Sequence, residues 1–339
     1  MVTEMKLIES SVFEITANDP LHTIEKAGRT CYKSEKSKNK QSSLGFVKRL
    51  IKNKHFAMLE HGEVTFKVVG INVDELIYLP YVRSYGYDGD KTNYKSMYLI
   101  TVSLSHLYNP VYSGTALINL LRSMYESYLE DSTIEYTKPD QSGYIHLIES
   151  ESNLIMAVGE LATYMNCDPY EIWATIRSRS FKFICDRGVS HELVRHRCSF
   201  AQESTRYCNY SLAKFDNEIT FIIPSTFDSW DNYAKDIFHQ SLTAAEIAYM
   251  GLLDSGLKPE QARSVLPNAV KTEVVMTAPI YQWYHFFDIR SKGVTGPPHP
   301  DMKKVADEAH QLFEAREDSI KIRLAQAKKY TESIRAMCI

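Results

Sequence analysis

Two stretches of short, well-punctuated elements flank a middle stretch of different character, and that division constrains the fold of this chain most. Asn18-Asp19-Pro20 predicts a helix start, with Asp19 as cap, Pro20 at the first helical position and Leu21, Ile24 and Ala27 facing inward. A second helix is expected over about 43–53, burying Phe46, Val47, Leu50 and Ile51, and alternating Val64, Phe66 and Val68 predict a half-buried strand. The pattern resumes with a strand at Phe181-Lys182-Phe183-Ile184, ended by the turn Asp186-Arg187-Gly188, after which Ser190 is expected to cap a helix through about Arg197. A long amphipathic helix should follow Asp228, turning Trp230, Tyr233, Ile237, Phe238, Ala245, Ala248 and Leu252 inward until Gly256 stops it. Pro259 opens a short helix that Pro267 ends, 279–289 reads as an aromatic-rich helix, and a polar helix begins at 301.

Between about 70 and 180 the sequence is rich in tyrosine, with loop-like patches such as Tyr85-Gly86-Tyr87-Asp88-Gly89-Asp90. Helices are expected near 115–130, 152–166 and 169–178, the last opened by Asp168-Pro169. No chemical motif falls here, so 70–179 reads as a mainly helical insertion or subdomain. At roughly 150 residues per domain, the 339 residues would make two domains. Removing 70–179 leaves 229 residues, one domain's worth, so 1–69 and 180–339 read as a single interrupted catalytic core.

The charge excludes some functions. Lys and Arg number 39 against 42 Asp and Glu, for a formal charge of −3. That lacks the basic excess of a protein that holds nucleic acid through its phosphates, so no nucleic-acid partner is expected. No apolar run approaches the roughly 20 residues that span a bilayer, and Met1-Val2-Thr3-Glu4 does not read as a signal peptide; the expectation is a cytoplasmic protein without a membrane partner. The six cysteines include no CxxC pair, the histidines no HExxH, and GxxxxGK[ST], GxGxxG and GxSxG motifs are missing, so no metal site is expected.

Functional side chains concentrate in Arg195-His196-Arg197-Cys198-Ser199-Phe200-Ala201-Gln202-Glu203-Ser204-Thr205-Arg206-Tyr207. Arg195 and Arg197 leave a helix end on different faces and could grip two anionic groups, while Ser204, Thr205 and Arg206 suit a phosphate oxygen. The bland alternative is a salt-bridge network with Asp186, Glu192 and Glu203. Arg263 and Arg290 are lone cations on mostly apolar elements, where burial without an anionic partner is costly. A ligand with a phosphate and a polar ring would satisfy them, as would ordinary ion pairs.

Arg195-His196-Arg197 followed by Ser204-Thr205-Arg206-Tyr207 resembles the flavin-dependent thymidylate synthases, whose signature is Arg-His-Arg, seven residues, then Ser. The approach Asp186-Arg187-Gly188-Val189-Ser190-His191-Glu192-Leu193-Val194, the spacing His55-x-Ala57-x-x-Glu60-His61, and the Gln-Ala-Arg and Val-Leu-Pro pieces between Leu252 and Arg290 are similar too. The resemblance covers about 10–68 and 181–310. It implies an α+β fold, with a mixed sheet flanked by helices, in a homotetramer with shared active sites. Glu192, Arg195, Gln202, Glu203, Ser204, Thr205, Arg206, Arg263 and Arg290 would bind dUMP, with Arg290 polarising the uracil ring as the catalytic residue. His55, Arg195, His196, Arg197, Gln202 and His285 would bind FAD. NADPH would reduce the flavin, and the folate partner methylenetetrahydrofolate would supply the carbon for C5 of dUMP.

The chain departs from that pattern in places. Arg197 and Ser204 are separated by six residues, Gln202 stands where an acid is common, and Pro279 and Tyr281 stand where the family often has Asn and Arg. The loop Ser291–Pro298 is longer than usual. Those changes leave open a related C5-modifying enzyme, for example a hydroxymethylating one, or a non-catalytic nucleotide-binding homologue. Thiol attack by Cys198 is a further rival.

Overall fold

Two antiparallel four-stranded sheets organise the chain in a computed structural model, which describes residues 5–33, 40–77, 79, 82–88, 96–111, 115–130, 143–206, 208–212, 215 and 217–337. The elements begin with β1 (Lys6–Ile8), β2 (Ser11–Glu14), α1 (Pro20–Tyr32), α2 (Lys40–Lys52), α3 (Phe56–Leu59), β3 (Glu63–Val69), α4 (Asp74–Ile77), β4 (Val82–Tyr87), β5 (Met97–Ser103), α5 (Leu104–Tyr108) and α6 (Ala116–Glu130). They continue with β6 (Tyr144–Ile148), α7 (Glu151–Met165), α8 (Pro169–Ile176), β7 (Ser178–Asp186), α9 (Arg187–Leu193), β8 (Ser199–Gln202) and β9 (Thr220–Ile222). The last are α10 (Asn232–Asp254), α11 (Pro259–Ala262), β10 (Lys271–Pro279), α12 (Ile280–Arg290) and α13 (Pro300–Met337). Helices flank the sheets, giving the expected α+β class.

The first sheet has the order β2-β7-β10-β8, with Phe183 opposite Val274 and Val274 opposite Gln202. Strand periodicity sends Val274, Met276 and Ala278 of β10 into one apolar core with Phe181, Phe183, Trp283, Phe286 and Phe287. Lys271, Glu273, Val275 and Thr277 take the other face, on the side of α1. The second sheet, β4-β5-β3-β6, turns Phe66, Ile100 and Val102 to a second core with α1, α2 and α6, and Met97 and Leu99 to the first. Parallel pairing occurs between β1 and β9.

Several expectations hold at their physical cause. Asp19 accepts a hydrogen bond from the Leu21 amide at 2.9 Å, and Leu21, Ile24 and Ala27 are buried. Phe46, Val47 and Leu50 of α2 are buried as well. The three helices expected between 115 and 178 are α6, α7 and α8, and Gly256 takes a left-handed φ of 88° just beyond α10.

Other expectations need correction. Asp186, not Ser190, caps α9 by accepting from the Val189 amide at 2.8 Å, and the helix ends at Leu193 rather than Arg197. Ser190 instead donates to the Arg187 carbonyl. Tyr85-Gly86-Tyr87 is strand, not loop, because its backbone pairs with β5. The segment 70–179 is still more helix than strand, yet β4, β5 and β6 join β3 of the preceding segment in one sheet. On α10 the expected inward face is partly outward: Tyr233 and Ile237 are exposed, whereas Leu242 and Tyr249 are buried. Gly89, Asp90, Tyr207 and Cys338 lie outside the described residues.

The closing helix α13 buries Met302, Val305, Ala306, Ala309, Phe313, Ile320 and Leu324 at helical spacing, so it is structural rather than a polar tail. One charge goes in with them. Glu317 lies 2.7 Å from the buried Arg179 guanidinium and accepts hydrogen bonds from Trp173 Nε1 at 3.1 Å and Tyr170 Oη at 3.2 Å. Breaking a buried pair strands its partner in a low-dielectric interior. Glu317→Ala is therefore expected to destabilise the fold by about 3–5 kcal/mol in denaturant titration; a loss under about 1 kcal/mol would show that the pair is not an anchor.

Candidate functional site

Helix α9 ends in a turn that delivers the functional cluster to the sheet. The Arg195 amide donates to the Glu192 carbonyl at 3.3 Å and the His196 amide to the Leu193 carbonyl at 3.2 Å, after which Ser199 begins β8. Helix α12 packs against this turn, with the His196 ring 5.0 Å from Phe286 and 6.4 Å from the exposed His285. Arg290 ends α12 and reaches back. Its Nη1 donates to Glu192 Oε2 at 2.7 Å, its Nη2 to the Glu192 carbonyl at 3.4 Å and its Nε to His196 Nε2 at 3.1 Å.

That last contact defines the histidine. Arginine can only donate, so Nε2 of His196 must accept and any ring proton sits on Nδ1. Burial, with the charges of Arg290 and His285, pushes the imidazole down to about 4. His196 is a neutral acceptor at physiological pH.

Beyond β8 the chain is tied from beneath. Gln202 donates to Ser190 Oγ at 3.0 Å and to Thr272 Oγ1 at 3.3 Å. Glu203 is buried, 2.8 Å from Lys271 and 3.7 Å from Lys33, and accepts from Tyr210 Oη at 3.3 Å. Glu273 shares those lysines and pairs with Lys182 at 2.9 Å. Burial alone would raise the Glu273 carboxyl, but Lys271, Lys33 and Lys182 hold it well below the usual range. The Ser204 amide donates to the Cys31 carbonyl at 3.2 Å, bringing the end of α1 under the same loop.

The loop itself faces another cation. Arg263 donates to Thr205 Oγ1 at 3.0 Å, and Arg206 lies 3.9 Å from Glu260 while remaining exposed. Arg195 and Arg197 are exposed, and among the described residues neither makes an ion pair. The bland network is thus only partly realised. Asp186 is a helix cap, Glu192 serves Arg290, Glu203 serves lysines, and Arg195 and Arg197 keep their capacity for an anion.

The structure therefore gathers Glu192, His196, His285 and Arg290 in one group, and Thr205, Arg206 and Arg263 in a second, with Gln202 and Ser204 on the strand and loop between them. His55 stands exposed at the start of α3. The lysine–glutamate cluster went unrecognised in the sequence, although Lys271 and Glu273, two apart in an apolar run, were its available signal. Glu60 accepts from Ser199 Oγ at 3.1 Å, and burial raises its pKa. Burial also pushes the Cys198 thiol up to about 12, so it stays protonated and is a poor nucleophile. Among the described residues no cluster of His, Cys, Asp and Glu could hold a metal ion.

A family model described as "Thymidylate synthase complementing protein" matches residues 11–142 and 169–316. The match runs through 70–142, part of the stretch that the motif resemblance left aside. The flavin-dependent thymidylate synthase of Geobacter sulfurreducens is 34% identical over 105 residues, covering 31% of this chain and 43% of that protein. The enzyme of the same name from Sulfurisphaera tokodaii is 35% identical over 122 residues, covering 35% and 45%. Each alignment thus spans less than half the length of the relative. A solved UMP/dUMP methylase, PolB from Streptomyces cacaoi bound with 5-Br dUMP, aligns over 96% of this chain and 97% of its own at 15% identity, with a TM-score of 0.39.

The His196 environment has a direct readout. Its imidazole is expected to stay unprotonated from pH 8 down to about pH 4, followed by histidine ring NMR shifts against pH. A midpoint near the usual 6.5 would mean that the contact with Arg290 does not hold in solution.

Proposed function

The chain belongs to the thymidylate synthase complementing protein family, and on that premise we propose that it transfers and reduces a one-carbon unit from methylenetetrahydrofolate onto C5 of dUMP, giving dTMP. The observation that carries this reading is the arginine arrangement: one guanidinium held rigidly at a helix end, and four others disposed for an anionic ligand around one strand and its loop. Arg195, Arg206 and Arg263, with Gln202, Ser204 and Thr205, hold the phosphate and sugar. The Glu203 carboxylate is engaged by Lys271, so its contribution is to anchor the loop from below. Arg290 faces the uracil. Uracil C5 is a weak nucleophile, and a fixed positive charge at the N3 edge stabilises the negative charge that enriches it. No thiol is required, in keeping with the protonated Cys198.

FAD is the cofactor of this reading, and NADPH its reductant. The residues fit an aromatic, anionic group: His285 and Tyr281 are exposed one turn apart on α12, with His285 beside His196, and the exposed Arg197 makes no ion pair among the described residues. His55, Arg195 and Gln202 complete the set. Tyr281 replaces the family's arginine with an exposed ring that offers stacking in place of charge. When bound, the flavin supplies the hydride that reduces the transferred carbon; the protein supplies placement and field.

The partners follow from the same reading. A homotetramer with shared sites is supported by the outward Tyr233, Ile237 and Ile247 of α10, apolar surface that a neighbouring subunit would cover. The catalytic core comprises 1–69 and 180–339, which hold every residue assigned a role; 70–179 is a subdomain built onto β3, supported by the second sheet. The location of this reading is the cytoplasm; no described helix is long and apolar enough to cross a membrane.

Incubation with dUMP, methylenetetrahydrofolate, FAD and NADPH, followed by mass analysis of the nucleotide, should give a one-methyl gain. A hydroxymethyl gain would move the reading to the related enzyme, and unchanged dUMP would reject C5 transfer. Arg290→Ala is expected to lower turnover by at least about 100-fold while retaining flavin absorbance, and Cys198→Ser to stay within about threefold of the original. Loss of turnover in Cys198→Ser with the fold intact would restore the thiol mechanism.

A further inference from the structure

Among the described residues, every hydrogen bond of the Arg290 side chain comes from one turn, and two of the three come from a single residue. Glu192 offers its side chain to Nη1 and its backbone carbonyl to Nη2, while His196 takes Nε. Glu192 stands in the last turn of α9, where free carbonyls make a carboxylate unfavourable. The arginine neutralises the acid and adds a second donor to the Glu192 carbonyl, which already accepts from the Arg195 amide. The remaining carboxylate oxygen, Glu192 Oε1, makes no hydrogen bond among the described residues.

We propose that Glu192 is the positioning residue of this site, aiming the Arg290 guanidinium and setting how much of its positive charge reaches the bound pyrimidine. The inference rests on the assignment of Arg290 to the pyrimidine ring. A carboxylate 2.7 Å from Nη1 cancels much of the guanidinium's field at any distance beyond the pair itself. His196 adds no charge, being a neutral acceptor. The ion pair therefore holds the arginine firmly and moderates it, whereas a neutral partner would hold it and leave the field at full strength. Asp186, His299 and Asp301 line the cleft that Glu192 borders, and His285 lies beyond His196.

Glu192→Gln tests the charge separately from the geometry. Its amide oxygen still accepts from Arg290, every other group named stays in place, and only the negative charge is lost. The N3 pKa of bound dUMP, read by ultraviolet difference spectroscopy against pH, is expected to fall by about one unit relative to the unaltered protein. Glu192→Ala removes the charge and the side-chain acceptor together. There the Arg290 Nε–H resonance, assigned by its loss in Arg290→Lys, should exchange faster with water, and turnover should fall at least about tenfold.

Partial recovery of turnover in Glu192→Gln over Glu192→Ala would show that hydrogen bonding to the arginine matters apart from charge. An unshifted N3 pKa in Glu192→Gln overturns the field-setting role. An unchanged Nε–H exchange rate in Glu192→Ala overturns the positioning role. If Glu192→Ala does not fold, the isosteric glutamine variant still decides the field-setting role. If the unaltered protein binds no dUMP, the functional reading fails, while the ligand-free Nε–H measurement still judges whether Glu192 positions Arg290.

Discussion

Two buried carboxylates and three lysines hold the candidate site in shape. Glu203 and Glu273 sit with Lys33, Lys182 and Lys271 where β7, β8 and β10 meet the end of α1. Neither acid could be buried alone, and three cations spread over three elements give each more than one partner. The cost of separating such charges fixes the end of β8 relative to β10 and to α1. The chain must then leave β8 along one path, with Ser204 tied to Cys31 and Thr205 turned toward Arg263. The loop that carries Arg206 inherits its path from that buried network.

Above that network the site uses charge differently. Arg195, Arg197 and Arg206 are exposed, where holding a cation costs little and an arriving anion can reach it. Arg290 is partly buried and cannot be left unpaired, so the same turn that supplies His196 also supplies Glu192. On the proposed function, one half of the site is open for capture and the other prearranged for chemistry. Prearranged charge is what stabilises a developing anion without reorganisation.

Much of this was legible in the sequence where local chemistry decides it. The Asp19-Pro20 start, the apolar spacing of α1 and α2, and the Asp168-Pro169 start of α8 appear as read, because caps and periodicity act over a few residues. The Arg195–Arg206 cluster was visible as a density of functional side chains. Pairings across long separations were not. The strand β10 has too little alternation to announce itself, since both its faces are covered, and its lysine and glutamate find partners more than 60 positions away. Strands β5 and β6 are defined by pairing with β3, and β4 by pairing with β5, not by their own tyrosine-rich pattern. Ser190 was a plausible cap until Asp186, four residues earlier, met the Val189 amide first. The outward Tyr233 and Ile237 of α10 show that periodicity reports an apolar face without saying what covers it.

The central claim is that the Arg290 group acts on the pyrimidine ring at C5, and the bond to watch is C5–H. Tritium release from dUMP labelled at C5 measures its loss directly, whatever happens later to the transferred carbon. The account predicts release to water that requires both the folate and reduced flavin, at a rate equal to nucleotide conversion. Bound dUMP that keeps its tritium under those conditions would contradict it.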